Sequence, residues 1–220
     1  ILCESGSSPT IIDCVFQNNE AVDTNSSSDG EDGAAICCKD SSSPTITNCI
    51  FSGNSATGIL SHGGAIFCED VSSPAITNCT FSSNNADWGG AIWCDNFSSP
   101  TITNCIFSGN SADNDGGAIY CSFYSNPTVS NCVFSDNSAD ECGGAIYCTD
   151  FSSPTLTNCL FSGNSAGAYT YGGAIFCYDS SSPTLNNCTF SGNSAHAGGA
   201  IYCNTDSSPT LNNCILWGDS

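Results

Sequence analysis

Apolar and polar residues alternate with a period of two in three short stretches that recur along the whole chain, and that period is the signature of strands. In one copy, Ile92 and Cys94 share one face while Ala91 and Trp93 share the other. Ile102 points inward between Thr101 and Thr103, and Cys105 and Phe107 point inward around an outward Ile106. The choice of face comes from comparing copies. The Ile92 position is always Ile or Leu, whereas the Trp93 position accepts Phe, Tyr, Trp and once Cys37, and the Ile106 position accepts Thr80 and Thr189. Positions that tolerate polar or variable groups are the solvated ones.

The stretches belong to a repeat that fills the chain. Its first cysteines are Cys3, Cys38, Cys68, Cys94, Cys121, Cys148, Cys177 and Cys203. A proline follows each six residues later, from Pro9 to Pro209, and a second cysteine eleven residues later: Cys14, Cys49, Cys79, Cys105, Cys132, Cys159, Cys188 and Cys214. Successive first cysteines lie 35, 30, 26, 27, 27, 29 and 26 residues apart. All of that variation falls between an Asn-Ser-Ala and the next Gly-Gly, where Val22–Asp32 supplies 11 residues and Asp87–Trp88 only two. A register that survives such insertions is that of a solenoid with one variable turn on one face. Gly-Gly, Pro and β-branched residues recur where a helical repeat would need its interior. A propeller blade would need four antiparallel strands and roughly 40 residues.

The expected fold is therefore all-β: a right-handed parallel β-helix of eight coils with three strands each, about 4.8 Å apart. It forms a single domain over residues 1–220, with coils starting near residues 1, 33, 63, 89, 116, 143, 172 and 198. Asn48, Asn78, Asn104, Asn131, Asn158, Asn187 and Asn213, with Asp13 in the first coil, sit at the sharp corner before the third strand. Asn tolerates left-handed backbone angles there, and stacked copies can bond each other's amides.

Two motifs carry a family resemblance. Gly-Gly-Ala-Ile recurs at 63–66, 89–92, 116–119, 143–146, 172–175 and 198–201, and Phe-x-x-Asn at 51–54, 81–84, 107–110, 134–137, 161–164 and 190–193. Together they resemble the passenger repeats of polymorphic outer membrane proteins and, more broadly, the pectate-lyase-like β-helix superfamily. The resemblance implies surface exposure, adhesion or scaffolding, and in some members oligomers. The regular cysteines depart from those passengers, and the chain contains no autotransporter barrel. The stretch from Asn213 to Gly218 looks like the closing coil of similar secreted repeat proteins.

Composition narrows the function. Eighteen cysteines point to an oxidising, extracellular or cell-surface setting. Pairing within a coil, such as Cys68 with Cys79, is the simplest expectation for the sixteen repeated cysteines. Stacked ladders, as thiols or paired between coils, are the alternative, and Cys37 and Cys142 are extra. One Lys+Arg residue against 21 Asp+Glu gives a net charge of −20, which argues against nucleic acid as a partner. No apolar run of 18 residues exists, so no membrane-inserted helix is expected. Lyases of the resembled superfamily use basic residues, and here there is no arginine and only Lys39; no enzyme is expected.

The remaining candidates concern binding. Asp40, Asp70, Asp150 and Asp179 recur at one turn, where they are candidate calcium ligands as well as ordinary turn formers. No other cofactor is expected. His62, Cys142 and His196 lie on one edge but in coils three, six and eight, too far apart for zinc. Asn25 and Asn96 are candidate N-glycosylation sites. The outward file Phe67, Trp93, Tyr120, Tyr147, Phe176 and Tyr202 is the candidate contact surface, for stacking on a glycan or for bundling rods. The outward Thr-x-Thr of strand two, as at Thr101 and Thr103, leaves an ice-binding alternative. Neither end shows a capping element, so the chain is expected to be cut from a longer β-helix or to stack head-to-tail into a filament. The overall expectation is an extracellular structural rod in a fibre or adhesin, with ice or carbohydrate binding as the alternative.

Overall fold

The computed structural model describes residues 1–22, 33–58 and 60–220, and Asn25 lies outside them. Within that range the chain is an all-β, right-handed parallel solenoid. Eight rungs, separated by about seven turns, form three eight-stranded parallel sheets. In the fourth coil their strands are Ile92–Cys94, Thr101–Thr103 and Ile106–Ser108. A fourth, six-stranded parallel sheet corrects the expectation of three strands per coil. It is built from the Asn-Ser-Ala segments, for example Ser55–Thr57, Asn85–Trp88 and Ser111–Asp115. The strands Ser55–Thr57, Asn85–Trp88, Ser111–Asp115 and Ser138–Ala139 contribute one inward alanine each, Ala56, Ala86, Ala112 and Ala139, all buried.

Register is kept from coil to coil. Ile92 pairs with Ile66 and Ile119, Cys94 with Cys68 and Cys121, and Phe107 with Phe81 and Phe134. The core is consequently a set of ladders. Phe51, Phe81, Phe107, Phe134, Phe161 and Phe190 are fully buried, and their rings stack at centroid distances of 4.7 to 4.8 Å. The strand spacing imposes this column of near-parallel rings, and each ring adds burial and aromatic contact at once.

Ala91 is not on the outer face. Ala91 and Ile92 both donate their N–H to the Ala118 carbonyl, at 3.0 and 2.9 Å. That shared acceptor makes a bulge, strict alternation lapses, and both residues join the core. The preceding glycines are required by contact: a Cβ on Gly90 would lie 2.2 Å from the Ser111 carbonyl oxygen and 2.3 Å from that of Gly117.

Polar ladders hold the turns. Asn54, Asn84, Asn110, Asn137, Asn164 and Asn193, the Asn of each Phe-x-x-Asn, are completely buried. Each donates through Nδ2 to Oδ1 of its counterpart in the next coil, or to Oδ1 of Asp219 in the case of Asn193. The Ser-Ser pairs form two files. Ser72 N–H bonds Ser98 Oγ in the next coil, and Ser99 N–H bonds Ser73 Oγ in the previous one. The corner asparagines adopt left-handed φ angles of 53° to 55°, and Asn48, Asn78 and Asn104 bond one another's amides on the outer surface.

Candidate functional site

The first sheet carries the outward aromatic file, and the structure revises what that file can do. Phe67 is 2 %, Trp93 8 % and Phe176 5 % exposed; Tyr120, Tyr147 and Tyr202 are half-buried. The file leaves the core but does not reach open solvent along its length, because side chains of the variable turns fold over it. His62 stacks on Trp93 at 4.3 Å and on Trp88 at 5.4 Å, and Tyr171 stacks on Tyr202 at 4.5 Å. A continuous exposed platform for bundling rods is therefore not present.

The cover is interrupted at the fourth coil. There the variable turn is only Asp87–Trp88, and the register of the fourth sheet shifts between Ala86 and Trp88, so that Trp88 pairs with Asp115. The bulge aims the Trp88 side chain at the flank of the first sheet. Below it the aromatic spacing opens. Phe67–Trp93 and Tyr120–Tyr147 stack at 4.7 and 4.9 Å, but Trp93 and Tyr120 are 6.4 Å apart. The result is a cleft of about 180 Å³ walled by Leu60, His62, Trp88, Trp93, Tyr120 and Phe123, with Asp95, Ser122 and Asp150 as its polar groups.

The cleft is predominantly acidic, with His62 as a basic neighbour of Asp95. Burial raises the Asp95 carboxyl above its usual range, against hydrogen bonds from Ser122 and the Asn96 backbone. Burial, then the neighbouring Asp179, raises Asp150. Asp115, which accepts from the Cys142 N–H at 2.9 Å and from the Trp88 side chain, is pushed up to about 6 by burial. The same burial, with Asp115, Asp150 and Asp95 nearby, pushes the Tyr120 hydroxyl up. Trp93 Nε1 is buried with no hydrogen-bond partner. On the same aromatic file, Lys39 places its Nζ 5.0 Å from the Phe67 ring centroid.

The other sequence candidates fare differently. Asp40, Asp70, Asp150 and Asp179 all take left-handed φ angles, between 45° and 54°, which accounts for their recurrence as turn chemistry. Among the described residues no three His, Cys, Asp or Glu side chains converge as a metal site. Asn96 is half-buried, and its amide nitrogen, the atom a glycan would take, donates to Asp70 Oδ1. Among the described residues no disulfide bond joins the cysteines in this structure. Each repeated cysteine meets its counterpart in the next coil, as Cys68 meets Cys94 and Cys79 meets Cys105. Parallel in-register coils bring equivalent residues together, whereas Cys68 ends a strand of the first sheet and Cys79 lies at the corner between the second and third sheets. The outer threonine rank is interrupted by Ala75, and the second by Ser130, Asn186 and Asn212.

One exposed aromatic group escapes the alternation argument. Phe97, Tyr124 and Phe151 occupy the turn after the first strand with φ of 60° to 63°. They are 54, 46 and 47 % exposed and stack at 5.3 and 5.1 Å. The available signal was the aromatic residue three positions after Cys94, Cys121 and Cys148.

Compared with models of known families, residues 64–220 match one described as a right handed beta helix region. Residues 13–39 and 48–69 match the Chlamydia polymorphic membrane protein repeat. No curated protein and no solved structure matches the chain.

Proposed function

The chain belongs to the right-handed β-helix family, and on that premise we propose that it is a cell-surface structural rod that recognises a partner through the flank around Trp93, without catalysing a reaction. The observation that carries this reading is the segregation of variety. Three sheets repeat the same ladders, while the variable turns, the Trp88 bulge and the cleft all gather on one edge. A rigid scaffold that confines variation to one face is built for presentation. The membrane-protein repeat matched at residues 13–39 and 48–69 supports a surface setting. Head-to-tail stacking of copies belongs to the same proposal, and sedimentation at micromolar concentration tests it; a strictly monomeric particle removes that element. The surface reading is tested by treating intact producing cells with protease. Release of peptides from the variable turns supports it, and complete protection until the cells are lysed overturns it.

One observation favours a second reading, glycan hydrolysis: Asp95 and Asp150 are two carboxyls of raised pKa in one cleft. They stand two rungs apart. At about 4.8 Å per rung this is roughly 10 Å along the axis, beyond the roughly 6.5–9.5 Å of an inverting pair. Recognition is therefore the better-supported use of the cleft. Release of reducing ends from a neutral polysaccharide, lost in D95N, would reverse that order.

A further inference from the structure

We propose that the cleft beside Trp93 binds an organic cation, an ammonium or guanidinium head group carried on an aliphatic chain. This rests on the reading of the flank as a recognition face and names the chemistry that the face selects.

Three independent observations converge. The first is shape. The ring spacing along the file widens to 6.4 Å between Trp93 and Tyr120, beside an open volume of about 180 Å³, which suits a compact head group rather than an extended sheet of ligand. The second is charge. Two carboxylates, Asp95 and Asp150, line the cleft, and the chain as a whole carries −20. Such a site draws cations in and repels anions before contact. The third is a precedent inside the molecule: Lys39 already lies over Phe67, the ring that stacks on Trp93. The file holds an ammonium group against an aromatic face one rung away from the cleft.

The walls explain the preference for a cation over a neutral sugar. Sugar stacking uses a broad exposed ring face, and Trp93 is only 8 % exposed. A cation needs less area, because the ring quadrupole and the two carboxylates attract it together. Part of the Asp95 acceptor capacity is already used by Ser122, which fixes the carboxylate in place and leaves its charge for the ligand.

The test uses the whole purified chain and its tryptophan fluorescence. Tetramethylammonium, n-butylammonium and a short lysine-containing peptide are titrated in parallel, with 3,3-dimethylbutanol as an uncharged shape control and galactose as a neutral sugar. The expected result is saturable quenching by the cations, weakened by added salt, with no saturable response to the alcohol. A D95N/D150N double variant is expected to bind about tenfold more weakly. Comparison of the peptide with the small cations distinguishes a polypeptide side chain from a free metabolite as the source. Equal binding of the alcohol, or no saturable binding by any cation, overturns the proposal. Binding of galactose alone also overturns it, while leaving the flank as a recognition face. The shape control and the salt dependence are read on the unaltered protein, so the result does not depend on the variant folding.

Discussion

Asn84 donates its side-chain amide to Asn110 Oδ1 at 2.9 Å and to the Phe51 carbonyl at 3.1 Å, while its own N–H reaches Asn110 Oδ1 at 3.1 Å. One buried side chain thus ties three successive coils. Replacing Asn110 with Ala removes the acceptor for two buried donors of Asn84 and the donor to the Phe81 carbonyl. Each orphaned group costs about 1–3 kcal/mol, so a loss of about 3–5 kcal/mol in urea-unfolding free energy is expected. A loss below 1 kcal/mol would mean that water replaces the amide.

Glycine substitutions should separate steric from conformational cost. Gly90→Ala forces a Cβ against two carbonyl oxygens at 2.2 and 2.3 Å, and should cost about 3 kcal/mol or more. Gly192 has a φ of 66° and open space around it, so Gly192→Ala should cost only about 1 kcal/mol. Thermal melts of the two variants give the comparison; equal shifts would contradict the close approach of coils at Gly90.

The cleft side imposes a pH dependence. Asp115 titrates at about 6 when folded, above its ordinary 3.8, so the folded state holds its proton more tightly. Its contribution to stability is fully present below about pH 4 and is lost as pH rises through about 6. The magnitude is at most about 3 kcal/mol. Asp95 and Asp150 are shifted in the same direction. Asp115→Asn keeps an acceptor for the Cys142 N–H and removes the charge. Denaturation midpoints measured at pH 4 and pH 7 should therefore lie closer together in that variant than in the parent chain. An unchanged difference would remove Asp115 as the cause.

Cysteine chemistry should follow the coil axis. Hydrogen bonding to a stacked neighbour, then burial, holds the Cys68, Cys148 and Cys177 thiols well above their ordinary range, which suppresses the thiolate. Alkylation of the native protein should leave these three unmodified. When the unfolded chain is refolded in an oxidising thiol–disulfide couple, peptide mapping should find links between register neighbours such as Cys68 and Cys94. A Cys68–Cys79 link would contradict the stacking.

How much of this could be read from residues alone depended on periodicity. Ile92, Cys94, Ile102, Cys105 and Phe107 follow a period of two, and all five are buried, as that period predicts. Asn110 is polar at a position that proves wholly buried; hydropathy gives no reason to bury it, and only an identical residue in each neighbouring coil satisfies it. The fourth sheet escaped because a segment such as Ser165–Ala166 is too short to display alternation. Trp93 does turn away from the core, but its burial depends on His62 and Trp88 in turns that do not repeat. The cleft has the same origin: it arises where one short turn follows a longer one, a relation between coils that no single repeat contains.

The amide ladders also give the rod a direction. In the buried column, Oδ1 of every asparagine faces the preceding coil and Nδ2 the following one, from Asn54 to Asn193, and the last donor meets the carboxylate of Asp219. In the outer column the order is reversed: Asn104 donates to Asn78, Asn78 to Asn48, and Asn48 to the carboxylate of Asp13. Two lines of aligned dipoles therefore run antiparallel through one molecule, and each meets a negative charge at its positive end, as a helix does with an acidic residue at its N-terminus. From Asn54 to Asp219 the inner line has six links, and from Asn104 to Asp13 the outer has three, so the opposed polarities offset each other only in part.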